Sequence, residues 1–185
     1  MNLPNKLATL RIILVIPFVM VLTLALKAEN SAFEITMRIL ATIIFAAASI
    51  TDYYDGKIAR KYNLVTNLGK LLDPLADKIL VISALVTLTK FDEISLWFVL
   101  IIIFRELLIT GLRSIATAIV AAEGVVIAAG NLGKWKTFVQ MVVLVIIILF
   151  PLSFKINNIL LLIPVILTVV SGAEYLLKCK KILNK

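Results

Sequence analysis

Two stretches of this chain, Thr137 to Phe154 and Ile156 to Ala173, each run 18 residues without a charged side chain. About 20 apolar residues in a helix cross a hydrocarbon core of roughly 30 Å. Each stretch therefore has the length and character of a membrane-spanning helix. Ile12 to Leu26 is a third uncharged run, continued toward the N-terminus by Leu7 to Leu10 with Arg11 between. Composition agrees: 62% of residues are hydrophobic, 16% are charged, and the mean hydropathy is +1.08. A soluble domain is closer to half apolar and a quarter charged, so a soluble domain, a disordered chain and a coiled coil are all excluded. One cysteine, Cys179, precludes an intrachain disulfide, and the absence of histidine removes imidazole catalysis and imidazole zinc sites.

Three shorter apolar runs carry charges at one end. Ile39 to Thr51 leads into Asp52, Ile79 to Thr89 follows Asp73, Asp77 and Lys78, and Ile94 to Phe104 leads into Arg105 and Glu106. The expected fold is an all-α integral membrane bundle of six transmembrane helices, at about 7–26, 33–51, 71–89, 94–121, 134–150 and 156–177. Residues 1–185 then form a single polytopic membrane domain. With both termini cytoplasmic, the inner segments hold Lys6, Arg11, Lys57, Arg60, Lys61, Lys70, Lys78, Arg105, Arg113, Lys134, Lys136, Lys178, Lys180, Lys181 and Lys185. The outer segments hold Lys27, Arg38, Lys90 and Lys155, which is a strong positive-inside bias.

The charged start and apolar run of the N-terminus resemble a signal peptide, but Leu26-Lys27-Ala28 is a poor cleavage site and the run is expected to stay as a helix. Residues 2–11 are expected along the membrane interface. Ser114 to Ala129 is small and apolar, yet Glu123-Gly124 interrupts it, and a seventh crossing would put Lys134 and Lys136 outside. It is read as the end of a long fourth helix followed by a cytoplasmic turn. The net charge of +8 suits anionic headgroups, and without a soluble domain a nucleic-acid partner is not expected.

Four of the eleven acidic residues, Asp52, Asp55, Asp73 and Asp77, fall in one window. The pairs are spaced i, i+3 and i, i+4, so each lies on one helical face. A short loop between helices two and three makes them antiparallel neighbours, and the two faces can converge. Clustered carboxylates at membrane depth repel and lose hydration, a penalty that a divalent cation offsets. Oxygen ligands alone suit Mg²⁺ or Mn²⁺. The plainer reading is that the aspartates mark helix ends and pair with Lys57, Arg60, Lys70 and Lys78. Asp73 with Pro74 suits a helix N-terminus, whereas Asp52 and Asp55 at the end of helix two oppose the helix dipole and ask for positive charge. Gly56, Ala59 and Gly69 interleave with these aspartates; small residues there serve either close packing or a ligand.

Asp52-Tyr53-Tyr54-Asp55-Gly56-Lys57-Ile58-Ala59-Arg60, eight further residues, then Gly69-x-x-x-Asp73-x-x-x-Asp77, resembles the DxxDGxxAR…GxxxDxxxD signature of the CDP-alcohol phosphotransferases at every fixed position. Asn2-Leu3-Pro4-Asn5 with Thr9 and Arg11, Arg105-Glu106 with Gly111-Leu112-Arg113, and Gly133-Lys134-Trp135-Lys136-Thr137 with Gln140 resemble the branch that uses glycerol 3-phosphate. The likeness extends to about Gln140, and the last helix is generic.

The resemblance implies transfer of a phosphatidyl group from CDP-diacylglycerol to sn-glycerol 3-phosphate with release of CMP, at the cytoplasmic face of a bacterial plasma membrane, by a homodimer. It implies two divalent ions, Mg²⁺ or Mn²⁺, held by Asp52, Asp55, Asp73 and Asp77, the last also being the candidate general base. Asp52, Asp55, Gly56, Ala59 and Gly69 would border the CDP-diacylglycerol, and Arg60 either touches it or pairs within the motif.

A phosphorylated acceptor needs positive charge, for which Arg105, Arg113, Lys134 and Lys136 are the candidates. Their competing reading is orientation and headgroup contact, and for Arg105 a pairing with Glu106 or an aspartate. The tail Lys178, Lys180, Lys181 and Lys185 suits lipid anchoring. Other acceptors (inositol phosphate, phosphatidylglycerol, serine, choline) stay open. A prenyltransferase fits the aspartate spacing poorly, and a cation transporter would need broken helices and an internal repeat.

Overall fold

The computed structural model describes the backbone of residues 3–61, 67–123 and 131–183, and the side chains of residues 9–51, 76, 78–112, 133 and 135–177. Among the described residues there is no β-strand, and six α-helices follow one another: α1 (Leu3–Leu26), α2 (Ser31–Lys61), α3 (Asn67–Lys90), α4 (Leu96–Glu123), α5 (Asn131–Leu149) and α6 (Phe154–Leu183). Three helices in this described part are long and apolar enough to cross a membrane, over Thr9–Leu26, Ser31–Thr51 and Phe154–Leu177, with a shorter apolar stretch at Trp135–Leu149.

Where these helices start and stop differs from expectation in an instructive way. The second helix was expected to end near Thr51, but α2 continues to Lys61. Hydropathy marks where the apolar slab ends, whereas a helix goes on for as long as its residues support it, and Lys57, Ile58, Ala59 and Arg60 do. Asp52 and Asp55 therefore lie inside a helix, and the argument from its terminal dipole does not apply to them. Likewise α3 starts at Asn67, so Asp73 is past the first turn and Pro74 is not its first residue. The first helix runs unbroken from Leu3 to Leu26, so residues 3–11 of the expected interfacial stretch are helical and continuous with the apolar span. The fourth helix does extend to Glu123 as expected, while the expected turn after it, 124–130, lies outside the described residues.

The chain divides into two compact units. Met1–Glu93 with Leu144–Ser153 form the first, and Ile94–Val143 with Phe154–Lys185 the second.

In the first unit α1 packs against both α2 and α3, and α2 also meets α3. The buried seam is built from Phe18, Leu22 and Ala25 of α1, Ala41, Phe45 and Ala48 of α2, and Leu80, Ala84, Leu85 and Leu88 of α3. Alanines let the backbones approach, and the Phe18 and Phe45 rings fill the gap with centroids 5.5 Å apart. The outer faces stay apolar, with Ile13, Ile16, Met20 and Ile43 exposed, as expected of helices solvated by lipid tails. Serine and threonine hydroxyls do not add to the polar load: Thr42, Ser49, Thr87 and Thr89 each donate to the carbonyl four residues back. Asn30 caps α2 by accepting from the Ala32 and Phe33 amides at 2.9 and 3.3 Å.

The end of α3 is closed by paired bonds from Asp92 N to Thr89 O and from Glu93 N to Leu88 O. This is a Schellman turn, with Asp92 at φ 55° where glycine is usual. The turn delivers Glu93 to Arg38. The almost wholly buried Arg38 guanidinium meets Glu93 at 2.6 Å and Glu34 at 2.8 Å, and it also donates to the carbonyls of Ile147 and Ile148.

The second unit is organised by α4 against α6. Val99, Ile102 and Ile109 of α4 and Leu161, Val165 and Tyr175 of α6 are buried, with Leu108 and Leu112 packed around Ile109 and Tyr175. Asn158 fixes the start of α4, its side-chain oxygen accepting from the Ser95 amide at 2.8 Å.

Candidate functional site

Asp52 and Asp55 ride on α2 and Asp73 and Asp77 on α3, two helices that pack against each other in the first unit. The helical register keeps each pair about one turn apart along its own helix. The side chains of Asp52, Asp55, Gly56, Ala59, Arg60, Gly69, Asp73 and Asp77 lie outside the described residues, as do those of Arg113 and Lys134. Ala76, between Asp73 and Asp77 in sequence, is itself fully buried. Among the described residues no group of three Asp, Glu, His or Cys side chains is placed to hold a metal ion. The donor chemistry of the aspartate motif, carboxylate oxygens in a chain without histidine, fits Mg²⁺ or Mn²⁺.

The basic candidates that are described belong to the second unit. Lys136 of α5 is buried, and its ammonium pairs with the carboxylate of Glu106 on α4. Burial of this pair at the edge of an apolar helix is tolerable because each charge is compensated at contact distance. The neighbouring Arg105 lies 3.8 Å from the same carboxylate, a longer approach than its hydrogen bond to α6. There its Nη2 donates to the Ser171 hydroxyl at 2.9 Å. The arginine stem lies directly over Gly172, where a Cβ would stand 3.2 Å from Arg105 Cγ. Gln140, one turn beyond Lys136 on α5, is also buried.

Three of these participants were not singled out as site candidates. Glu106 pairs with Arg105 at 3.8 Å, as one reading of the sequence expects, and more closely with Lys136, which that reading does not include. Ser171 and Gly172 fall in the helix read as generic. The available signal was a Ser-Gly pair in an apolar span, preceded by Thr168 and followed by Tyr175, so that polar residues recur at helical spacing along one face.

Comparison with known proteins bears on all of these residues. The CDP-alcohol phosphatidyltransferase family pattern matches residues 1–170. A protein of Bacillus subtilis named CDP-diacylglycerol–glycerol-3-phosphate 3-phosphatidyltransferase is 43% identical, over 96% of this chain and 94% of its own length. One of the same name from Rickettsia felis is 41% identical, over 97% and 96% of the two chains. A probable phosphatidylglycerophosphate synthase of Mycobacterium tuberculosis is 37% identical, over 94% of this chain and 79% of its own. With the aspartate motif filled at each position and the match running through α1 to α5 and most of α6, this chain belongs to the CDP-alcohol phosphatidyltransferase family.

Proposed function

We propose that this protein transfers the phosphatidyl group of CDP-diacylglycerol to sn-glycerol 3-phosphate, giving phosphatidylglycerophosphate and CMP. The observation that carries the reading is the likeness to relatives named for this reaction over 96–97% of the chain. A hydroxyl oxygen of the acceptor attacks the phosphorus that bears the diacylglycerol. The bond from that phosphorus to the bridging oxygen breaks, and CMP leaves with the electron pair. Asp77, the last carboxylate of the motif, takes the hydroxyl proton in this reading. Asp52, Asp55, Asp73 and Asp77 would hold two divalent ions, which supply charge neutralisation on the pyrophosphate and on the leaving phosphate.

Gly56, Ala59 and Gly69 border the donor in this reading, with Arg60 beside them. Arg105, Arg113 and Lys134 supply positive charge for the acceptor phosphate. For Lys136 the buried pairing with Glu106 favours a supporting part, holding the carboxylate next to Arg105.

The same reading makes the chain a six-span bundle in a bacterial plasma membrane, acting as a homodimer, with its termini and reacting groups on the cytoplasmic side. The lysine and arginine bias supports that orientation. Trp97 at the start of α4 and Trp135 at the start of α5 are 74% and 62% exposed, which suits aromatic anchors at the two interfaces.

The test is CMP release from CDP-diacylglycerol by purified protein in phosphatidylcholine vesicles, with glycerol 3-phosphate, inositol phosphate, serine or phosphatidylglycerol as acceptor. Turnover with glycerol 3-phosphate over the others is expected; preference for another acceptor overturns the assignment.

A further inference from the structure

We infer that Ser171 and Gly172 of α6 are positioning residues for the acceptor, holding the Arg105 guanidinium in the pose that meets a phosphate. This rests on the proposed part of Arg105 in acceptor binding and deepens it. It extends the functional machinery into residues just beyond the stretch matched by the family pattern, which ends at residue 170.

Three contacts define the seat. A Cβ on residue 172 would lie 3.2 Å from Arg105 Cγ, 3.5 Å from Nε and 4.0 Å from Cδ. The arginine stem is thus laid along bare helix backbone, in a space that any other residue would fill. At the end of that stem Nη2 donates to Ser171 Oγ at 2.9 Å. The Ser171 hydroxyl in turn gives its single proton to the Thr168 carbonyl at 3.2 Å, so its oxygen is left to accept from the arginine.

The chemistry of this seat differs from that of an ion pair. A hydroxyl orients Arg105 without adding a further negative charge beside it. Glu106, the adjacent carboxylate, has Lys136 as its close partner and stands 3.8 Å from Arg105. A rigid planar fork in a fixed plane suits bidentate recognition of a phosphate, which a lysine in the same place does not reproduce.

The experiment measures acceptor KM, CDP-diacylglycerol KM and kcat for Ser171→Ala, Ser171→Thr, Gly172→Ala, Gly172→Val and Arg105→Lys, each checked for unchanged melting in detergent. Loss of one hydrogen bond to a charged group predicts that Ser171→Ala raises the glycerol 3-phosphate KM about five- to tenfold. Its kcat and its KM for CDP-diacylglycerol should stay within about twofold, and Ser171→Thr should restore the acceptor KM. Gly172→Val should have a larger effect than Gly172→Ala, following the volume forced under the arginine. Arg105→Lys separates the two ideas. If it leaves acceptor KM unchanged, the assignment of Arg105 fails. If it raises acceptor KM while the Ser171 and Gly172 variants do not, Arg105 stands and the seat is refuted. A uniform fall in kcat and melting temperature across the α6 variants, without a selective acceptor effect, makes the notch a packing feature and also refutes it.

Discussion

Lys136 and Glu106 form a contact ion pair between α5 and α4, with the lysine side chain 2% exposed and the glutamate 18%. Each charge offsets the desolvation cost of the other, which is the larger for the lysine. The pair also ties together the helices that carry the other three basic candidates for the acceptor phosphate, Arg105 and Arg113 on α4 and Lys134 on α5.

The asymmetry in burial gives the pair a directional prediction. Glu106→Gln removes the contact charge from beside the deeply buried ammonium and should destabilise the protein by about 3 kcal/mol. Lys136→Met leaves a carboxylate that still reaches some solvent and should cost less. The double variant Glu106→Gln/Lys136→Met should recover much of the loss. Thermal unfolding of the detergent-solubilised protein, arranged as a double-mutant cycle, measures the coupling.

Arg38 holds the first unit together at the far end of α2, with two carboxylates and two backbone carbonyls on one guanidinium. Lysine has no planar fork and cannot reproduce this set. Arg38→Met should lower stability by about 3–5 kcal/mol, because Glu93 then loses its buried partner. Arg38→Lys should fall between the two. Substrate KM values of whatever folded protein remains should be unchanged, since Arg38 precedes Asp52 by 14 residues, about 21 Å along α2.

Asp92 occupies the left-handed position of the Schellman turn after α3 at φ 55°. Glycine takes this conformation without steric cost. Asp92→Gly should therefore stabilise the protein by up to about 1 kcal/mol, while Asp92→Val should destabilise it. The comparison is read from melting temperatures at fixed detergent and lipid.

Chelation should abolish CMP release, and Mg²⁺ or Mn²⁺ should restore it. Asp77→Asn removes the proposed base and should lower kcat by a factor on the order of 10²–10⁴ while retaining CDP-diacylglycerol binding. Asp52→Asn should instead weaken both the metal response and donor binding. If a chelator leaves turnover intact, the four aspartates are not a metal site.

Charge-free runs and the placement of lysine and arginine made the solvent class, the helical content and the succession of six helices legible from the chain itself. Those properties follow from length against bilayer thickness and from backbone groups that a bilayer cannot hydrate. The family was equally legible, because the aspartate motif that marks it is a pattern of spacing along two helices. Helix ends were not: nothing in the hydropathy of Thr51 to Lys61 distinguishes a helix leaving an apolar layer from one that stops there. Partnerships were not legible either. That Lys136 meets Glu106, and that Arg105 lies over Gly172, depends on which faces α4, α5 and α6 turn toward one another within the second unit. A glycine in an apolar span looks the same whether it admits a helix, a lipid or an arginine. Local residues set the helices and their chemistry, and packing alone decided which charge found which neighbour, because those contacts join residues far apart along the chain.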